Sequence, residues 1–322
     1  MKKANIYVLF IIILLLCGCS ITKKEPLSKT GFYFDTIITI TLYDSKNDKI
    51  LNTCFDYCEE FENLVSRTIE SSEISMINQA NGQPVEVSDT TIELLKKGIE
   101  FGELTDGAFD ITIAPLSELW TFKNNPGNIS SESEIIEALS HVNYKNIVIE
   151  GNSVTLTDPK AAIDLGGIAK GYIADQLKEY LLSEGVTSAI INLGGNVLTI
   201  GEKPDGNAFH IGIQKPFDEQ NATITSVQVK DSSVVTSGSY ERYFKVNDTI
   251  YHHILNTATG YPCDNELLSV TILSEKSIDG DVLSTSCFAL GLEEGRKLIE
   301  SLEDIDAIFV TKEFETIDTR NK

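Results

Sequence analysis

The segment Asp164-Leu165-Gly166-Gly167-Ile168-Ala169-Lys170-Gly171 places a pair of glycines between a predicted strand and a predicted helix. The strand is predicted over Ala161–Asp164 and the helix over about Ile168–Leu182. Paired glycines let a backbone approach a ligand closely, and the free N–H groups at a helix N-terminus attract an anion. The spacing matches neither a P-loop nor a dinucleotide-binding fingerprint. From these residues alone, a tight strand-to-helix turn and a ligand site both remain open.

Helix and strand patterns are mixed on both sides of this segment, and short turns often join neighbouring strands. This mixture predicts an α+β fold, a single catalytic unit of mixed helices and largely antiparallel sheet. Helices are predicted at Lys49–Leu64, at Ser88–Leu104, after the capping box Ser131–Glu134, and from Ser277 to about Leu290. Strands are predicted at Phe32–Tyr43, Ile147–Glu150, Val154–Thr157, Ala189–Asn192, Phe209–Gln214, Thr223–Lys230, Tyr243–Val246, Tyr251–Leu255, Leu268–Leu273 and Ala307–Val310.

The composition is that of an acidic globular protein. The chain has 322 residues, of which 42% are hydrophobic and 23% charged, and this excludes global disorder, a collagen-like fibre and a polytopic membrane protein. The 26 Lys and Arg against 48 Asp and Glu give a net charge of −22. Such a surface repels phosphate backbones, so we expect no nucleic-acid partner and no polybasic docking on anionic lipid.

The N-terminus has the pattern of an export signal. Lys2 and Lys3 precede the apolar run Ile6–Leu16, which is too short to span a bilayer of ~30 Å as a helix. The run ends at Cys17-Gly18-Cys19, which resembles a bacterial lipoprotein signal cleaved before Cys19 and lipidated on its sulfur. We expect a signal peptide over residues 1–18, a tether over 19–30 and a catalytic domain over 31–322, anchored by lipid to the extracytoplasmic face of the bacterial cell membrane. An uncleaved signal anchor is the alternative.

The remaining cysteines indicate no special chemistry. Neither a disulfide framework nor a zinc site is suggested by the spacing of Cys54, Cys58, Cys263 and Cys287. Cys54 and Cys58 lie on the apolar face of a predicted helix, where ordinary buried thiols are expected.

A second candidate segment is Asp279-Gly280-Asp281-Val282-Leu283-Ser284-Thr285. On a helix, Asp281 and Thr285 share a face, because residues four apart are neighbours. One carboxylate and one hydroxyl suit Mg²⁺ when water or substrate phosphates complete its octahedron. The alternative is an acidic first turn favoured by the helix dipole, with Thr285 only packed.

Histidines and small hydroxyl residues supply the other candidates. His252 and His253 are adjacent on a predicted strand, so their side chains point to opposite faces, and one could act as a general base. A hydrogen-bonded strand histidine is the simpler interpretation from these residues alone. Turns are the simplest interpretation of Gly107–Asp110, Asn192–Asn196 and Thr236–Tyr240.

Taken in order, these segments resemble the ApbE family, whose members are flavin transferases that use FAD to flavinylate other proteins. The resemblance covers roughly Phe32 to Val310. The matching stretches are SEISMIN (Ser72–Asn78), GAFD (Gly107–Asp110), DLGGIAKGYIAD (Asp164–Asp175), INLGGN (Ile191–Asn196), TSGSYERYF (Thr236–Phe244), HHILNTATGYP (His252–Pro262) and DGDVLSTSCFALG (Asp279–Gly291).

The resemblance implies a Mg²⁺-dependent reaction with FAD as substrate. A Ser or Thr hydroxyl of an exported acceptor protein attacks the phosphorus on the FMN side, AMP leaves, and FMN stays attached. A divalent ion would offset the charge that an acidic protein otherwise presents to a pyrophosphate. By the family pattern, His253 deprotonates the acceptor hydroxyl and His252 faces away. The implied metal ligands are the side chains of Asp281 and Thr285 and the backbone carbonyls of Gly167 and Ser284. The implied FAD contacts are Ala108, Phe109, Asp110, Asp164, Lys170 and the backbone near Leu255.

Two positions depart from the family pattern. Phe34-Asp35-Thr36 replaces the usual Met-Gly-Thr, and Asn256 replaces an aspartate. If that aspartate supplies charge, this chain is slower; if it only shapes a turn, an amide serves equally.

Two other functions fit the same residues. One is a lipoprotein that binds FAD without catalysis, although such a binder has no need of a base. The other is a Mg²⁺-dependent FAD pyrophosphatase, in which water replaces the acceptor hydroxyl and FMN and AMP are released.

Overall fold

The computed structural model describes residues 25–122, 127–219 and 222–321. The predicted signal peptide, residues 1–18, and Cys19 lie outside these ranges. Within them, none of the helices combines the length and the apolar character that crossing a bilayer would require.

Fifteen strands are formed by the described residues, and every pair of neighbours is antiparallel. They are β1 (Leu27–Tyr33), β2 (Thr36–Leu42), β3 (Val85–Glu86), β4 (Ile147–Glu150), β5 (Ser153–Leu156), β6 (Ser188–Leu193), β7 (Asn196–Gly201), β8 (Phe209–Gln214), β9 (Thr223–Val229), β10 (Ser233–Gly238), β11 (Tyr243–Val246), β12 (Thr249–His252), β13 (Leu267–Ser274), β14 (Asp306–Thr311) and β15 (Thr316–Asp318).

The helices lie between these strands in the chain. They are α1 (Asp48–Val65), α2 (Glu73–Gln79), α3 (Asp89–Leu104), α4 (Ala114–Trp120), α5 (Glu132–Leu139), α6 (Ala169–Ser183) and α7 (Ser277–Glu300). The predicted capping box opens α5, since Ser131 and Glu134 each accept a backbone N–H of the other.

One large sheet is the centre of the fold, with the order β1-β2-β6-β7-β10-β13-β14-β15. Alternate residues of its strands point to opposite faces. One face packs on α1, α6 and α7 in the main core, and the other is covered in part by the β8–β9 hairpin. A smaller core joins α4, α5 and the β11–β12 hairpin. The predicted α+β class and the largely antiparallel sheet are confirmed.

The first predicted strand is instead a hairpin that starts earlier. β1 begins at Leu27, so residues 27–30 belong to the sheet and not to the predicted tether. Phe34 and Asp35 form the turn between β1 and β2, with φ values of 52° and 60°. A two-residue turn with both residues at positive φ has the twist that adjoining strands need. The apolar and β-branched run conceals this turn because neither residue is glycine.

The prediction of a strand at Ala161–Asp164 is wrong. Only a single bridge, from Ile113 to Ala162, involves this segment. The Asn78 side chain takes the place of a neighbouring strand: its Oδ1 accepts the N–H of Ile163 at 2.7 Å and its Nδ2 donates to the Ile163 carbonyl at 2.9 Å. The segment is therefore held by Asn78 and by this single bridge, outside any sheet.

Two further differences concern glycine and small residues. Helix α7 extends beyond the predicted end near Leu290, because Gly291 adopts φ 81° and joins a second helical piece that ends at Glu300. Thr236–Gly238, interpreted as a turn, lie in β10. The small side chains of Thr236 and Ser237 and the absence of one at Gly238 suit a strand covered closely by a helix.

Candidate active site

The glycine segment leads directly into α6. The N–H of Asp164 donates to the Ile111 carbonyl at 2.8 Å, and Asn78 fixes the preceding residue. The Asp164 carboxylate then shapes the turn, since Oδ1 accepts the N–H of Gly166 at 2.8 Å. Arg67 Nε lies 2.9 Å from Asp164 Oδ2. Sequence reasoning missed Arg67, because a single arginine about one hundred positions away carries no motif.

Helices α6 and α7 meet at a close approach that only glycine allows. A Cβ added to Gly171 would lie 2.5 Å from the Ser277 carbonyl oxygen. The N–H of Gly171 donates to Asp281 Oδ2 at 2.9 Å, and Lys170 Nζ lies 3.2 Å from Asp281 Oδ1. Lys170, a predicted FAD contact, therefore forms an ion pair with Asp281, a predicted metal ligand.

The other predicted metal ligands adjoin this pair. A Cβ added to Gly167 would lie 3.9 Å from Thr285 Oγ1 and 3.0 Å from the ring of Phe109. Ser284 and Thr285 follow Asp281 along the same helix, and the Ser284 hydroxyl donates to the Asp281 carbonyl at 3.0 Å. The glycine turn, the GAFD turn and the first turns of α7 therefore face one another.

These residues fit a hard divalent cation that takes few protein ligands. The Asp281 carboxylate is buried, with 3% of the residue exposed, and it already attracts the Lys170 ammonium. Across the described ranges, no group of three or more His, Cys, Asp or Glu side chains could hold a metal. A cation here would therefore rely on Asp281, hydroxyl and carbonyl oxygens, water and substrate phosphates, as Mg²⁺ does.

The two adjacent histidines differ in their surroundings. His252 is buried, with Nε2 2.9 Å from the Cys263 carbonyl oxygen and Nδ1 accepting the N–H of Ile254. His253 is half-buried, and its Nδ1 has no hydrogen-bond partner among the residues that the structure describes. Burial, together with the nearby charges of Arg242 and Lys170, lowers the pKa of His253 to about 3. Its imidazole is therefore neutral at pH 7.

The GAFD turn joins the histidine segment through one hydrogen bond. The hydroxyl of Thr257 donates to the Gly107 carbonyl at 2.7 Å. Ala108 is half-buried, whereas Phe109 and Leu255 are buried and Leu255 pairs with Pro262. A cleft of about 240 Å³ opens beside this junction, lined by Gly107, Asp110, Thr257 and six neighbours.

Asp110 and Asn256 both organise local backbone here. Asp110 Oδ1 accepts the N–H and the hydroxyl of Thr112, and Oδ2 accepts the N–H of Tyr144 at 2.8 Å, while burial raises the pKa of this carboxyl. Asn256 Oδ1 accepts the N–H groups of Ala258 and Thr259. The Asn256 side chain therefore shapes this turn through its amide oxygen, and these hydrogen bonds need no charge.

Sequence reasoning missed three more residues around the site. Ser237 contacts both Ser284 and Thr285 from β10. Asp175 accepts the first N–H groups of α7. Glu241 is exposed, yet enough protein surrounds its carboxyl to raise its pKa to about 7, with Lys170 and Arg242 opposing the rise. All three residues lie within stretches that match the family: Ser237 and Glu241 in Thr236–Phe244, and Asp175 at the end of Asp164–Asp175. This position in the motifs is the signal by which the sequence could have indicated them.

A family model described as the ApbE family matches residues 34–309. The chain belongs to the ApbE family. It is 40% identical over 278 residues to a FAD:protein FMN transferase of Klebsiella pneumoniae, covering 85% of this chain and 86% of that protein. It is 30% identical over 309 residues to a FAD:protein FMN transferase of Vibrio cholerae, covering 93% and 91%.

Solved structures of the ApbE family share the fold. The ApbE protein of Thermotoga maritima superposes with a TM-score of 0.84 at 34% identity, over 91% of this chain and 97% of that chain. The flavin transferase ApbE of Vibrio cholerae superposes with a TM-score of 0.79 at 27% identity, over 91% and 96%. The predicted family and the predicted class of enzyme, a flavin transferase, are confirmed. The individual site residues stay predictions.

Proposed function

We propose that this flavin transferase uses FAD and Mg²⁺ to attach FMN to a Ser or Thr hydroxyl of an exported acceptor protein, and that it releases AMP. The observation that carries the proposal is the meeting of the glycine turn with α7. Gly167 adjoins Thr285, while Lys170 and the Gly171 N–H both contact Asp281. Backbone, hydroxyl, carboxylate and ammonium groups thus converge where a pyrophosphate and a cation can be held together.

We infer a division of roles among these groups. Asp281 and Thr285 would hold the cation with the carbonyls of Gly167 and Ser284, and Mg²⁺ supplies charge neutralisation at the phosphates. Lys170, released from Asp281 by the cation, would turn to a phosphate oxygen. Asp164, Ala108, Phe109 and Asp110 and the backbone near Leu255 would line the FAD site.

His253 is proposed to take the proton of the acceptor hydroxyl. Its neutral imidazole can accept a proton at pH 7, but a pKa of about 3 makes a weak base. Arg242 and Lys170 contribute to this low pKa. The negative pyrophosphate of bound FAD would offset both cations, raise the pKa of His253 and so strengthen the base only when substrate is present.

The place of the reaction follows from the proposed anchor. We propose that the chain is cleaved before Cys19 and held by lipid on that residue at the extracytoplasmic face of the cell membrane. The acceptor would then be an exported protein, which meets the enzyme at the same surface.

The experiment is a transfer assay read by intact-protein mass spectrometry. Purified enzyme, FAD and Mg²⁺ are mixed with an exported candidate acceptor encoded by a neighbouring gene. We expect the acceptor to become heavier by one FMN unit and AMP to appear in equal amount. Asp281→Ala should abolish the transfer, and chelation of Mg²⁺ should do the same in the unsubstituted enzyme.

The same assay separates the two other functions. Free FMN and AMP with every acceptor tested would support a pyrophosphatase. Bound FAD without turnover would support a non-catalytic carrier.

A further inference from the structure

Three hydroxyl groups form a chain across the interface between β10 and α7. Ser237 Oγ lies 2.8 Å from Ser284 Oγ and 3.1 Å from Thr285 Oγ1. Ser284 Oγ lies 3.0 Å, and Thr285 Oγ1 3.4 Å, from the backbone carbonyl oxygen of Asp281. Ser237 thus connects Ser284 to Thr285, and both of these residues are proposed to hold the cation.

The lengths of these contacts favour one direction for the protons. A carbonyl oxygen only accepts, and each hydroxyl has one proton. Both Ser284 and Thr285 can donate to the Asp281 carbonyl, but the 3.0 Å contact from Ser284 is a better hydrogen bond than the 3.4 Å contact from Thr285. If Ser237 then donates to Ser284, its own proton is used, and its 3.1 Å contact with Thr285 requires Thr285 as the donor.

This order matters for Thr285. In this order, its single proton is directed at Ser237, and the lone pairs of Thr285 Oγ1 are left for another partner. In the reverse order, the Thr285 proton points at the Asp281 carbonyl. Thr285 would then accept from Ser237 and lose one lone pair. A hydroxyl binds a cation through a lone pair, so the orientation of this proton affects the affinity.

We propose that Ser237 is a positioning residue for the cation site: it accepts the Thr285 proton and thereby orients Thr285 Oγ1 as a metal ligand. This inference rests on the proposed function, since it assumes that Asp281 and Thr285 bind the cation. Groups that orient metal ligands contribute strongly to metal sites, and their removal costs about 10-fold to 100-fold in affinity or activity.

The test measures cation binding directly, with Mn²⁺ as the probe because oxygen ligands suit it as they suit Mg²⁺. Free Mn²⁺ is followed by electron paramagnetic resonance, with FAD present, acceptor absent and binding to FAD alone subtracted. We expect Ser237→Ala to weaken Mn²⁺ binding about 10-fold or more, and Ser237→Thr, which keeps a hydroxyl, to restore most of it. Thr236→Val is the matched control, because Thr236 lies next in β10 and pairs with Thr271 instead.

A double substitution distinguishes positioning from a general effect. If Ser237 acts through Thr285, Ser237→Ala should add little to the loss caused by Thr285→Val. Equal Mn²⁺ affinity in Ser237→Ala and the unsubstituted enzyme would overturn the inference, as would additive losses in the double variant. Thermal unfolding of each variant verifies that the protein is folded.

The design also separates this inference from the proposed function. Loss of Mn²⁺ binding in Asp281→Ala, with Ser237→Ala unaffected, rejects the role of Ser237 alone. Unchanged binding in Asp281→Ala rejects the proposed cation site and the role of Ser237 with it.

Discussion

The buried Asp281 carboxylate shows how single residues prepare this site. Its two oxygens contact an ammonium, from Lys170, and a backbone N–H, from Gly171. A buried charge without such partners would cost several kcal/mol, and these two contacts offset much of that cost. At the proposed cation site, a divalent ion would take the place of the Lys170 ammonium beside this carboxylate.

His253 gives the first prediction at the scale of a residue. His253→Ala should leave FAD binding intact, because the ring is proposed to act on the acceptor and not on the flavin. Transfer should fall about 10²-fold to 10⁴-fold, the usual span of general base catalysis. Binding is measured by the change in FAD fluorescence and transfer by acceptor mass.

His252→Ala is an informative comparison. The His252 ring bonds to the Cys263 carbonyl and lies edge-on to Phe288, so its loss should reduce stability more than it changes chemistry. Transfer that is unchanged in His253→Ala would remove His253 from the mechanism.

At the scale of elements, α6 supplies the cap that α7 lacks. The N-cap residue of α7, Lys276, makes no side-chain capping bond. Asp175 on α6 replaces it, since Oδ1 accepts the N–H of Ser277 at 2.8 Å and Oδ2 accepts that of Ile278 at 2.9 Å. The helix that holds the proposed metal ligands is thus fixed to the helix that follows the glycine turn.

Asp175→Ala should lower the free energy of unfolding by about 1–2 kcal/mol, the cost of losing a helix cap. Urea unfolding at pH 7 measures it. Gln176→Ala, at the exposed neighbouring position, should change the free energy by less than about 0.5 kcal/mol. Equal stability of the two variants would show that Asp175 is not a cap.

The same carboxyl predicts a pH dependence. Burial raises the pKa of Asp175 from 3.8 to about 6, although two N–H groups favour the charged form. Between about pH 4 and pH 6, the Asp175 carboxyl is therefore protonated in the folded state but ionised in the unfolded state. The preference of the folded state for the proton stabilises the protein fully below about pH 4, and this stabilisation is lost as the pH rises through about 6. Compared with the non-titrating Asp175→Asn, the unsubstituted protein should lose about 1–2 kcal/mol of relative stability between pH 4 and pH 7, after allowance for solvent screening. A constant difference over this range would contradict the raised pKa.

At the scale of the whole molecule, the proposed anchor and the catalytic domain should be separable. The glycine turn, α7 and the histidine segment all lie between Asn78 and Glu300, far from Cys19 in the sequence. Cys19→Ala should therefore abolish lipidation while the purified enzyme keeps its transfer activity.

Membrane fractionation and mass spectrometry of the N-terminal peptide measure this outcome. A lipidated peptide beginning at Cys19 is expected in the unsubstituted protein and absent from Cys19→Ala. Membrane retention of an uncleaved N-terminus in both proteins would support the signal anchor instead.

Local patterns in the sequence predicted much of the fold. Apolar spacing located α1, α3 and α6 to within a residue or two, and runs of strand-forming residues located β4, β8, β11 and β14. These patterns depend on which side chains a helix or strand buries, so they can be recognised from residues that are close together in the sequence. The ordered motifs likewise sufficed to identify the family.

Only the tertiary structure decided which distant groups meet. Lys170 and Asp281 are 111 positions apart, and no periodicity couples Arg67 to Asp164 or Ser237 to Thr285. Such contacts depend on how closely elements pack, here on the missing Cβ of Gly171, and on the direction of single hydrogen bonds. The sequence by itself therefore determined most of the elements, the family and the candidate residues. The packing of the elements decided which partners those residues contact. Hydrogen bonds between helices and strands join residues far apart in the chain, so they leave no local pattern in the sequence.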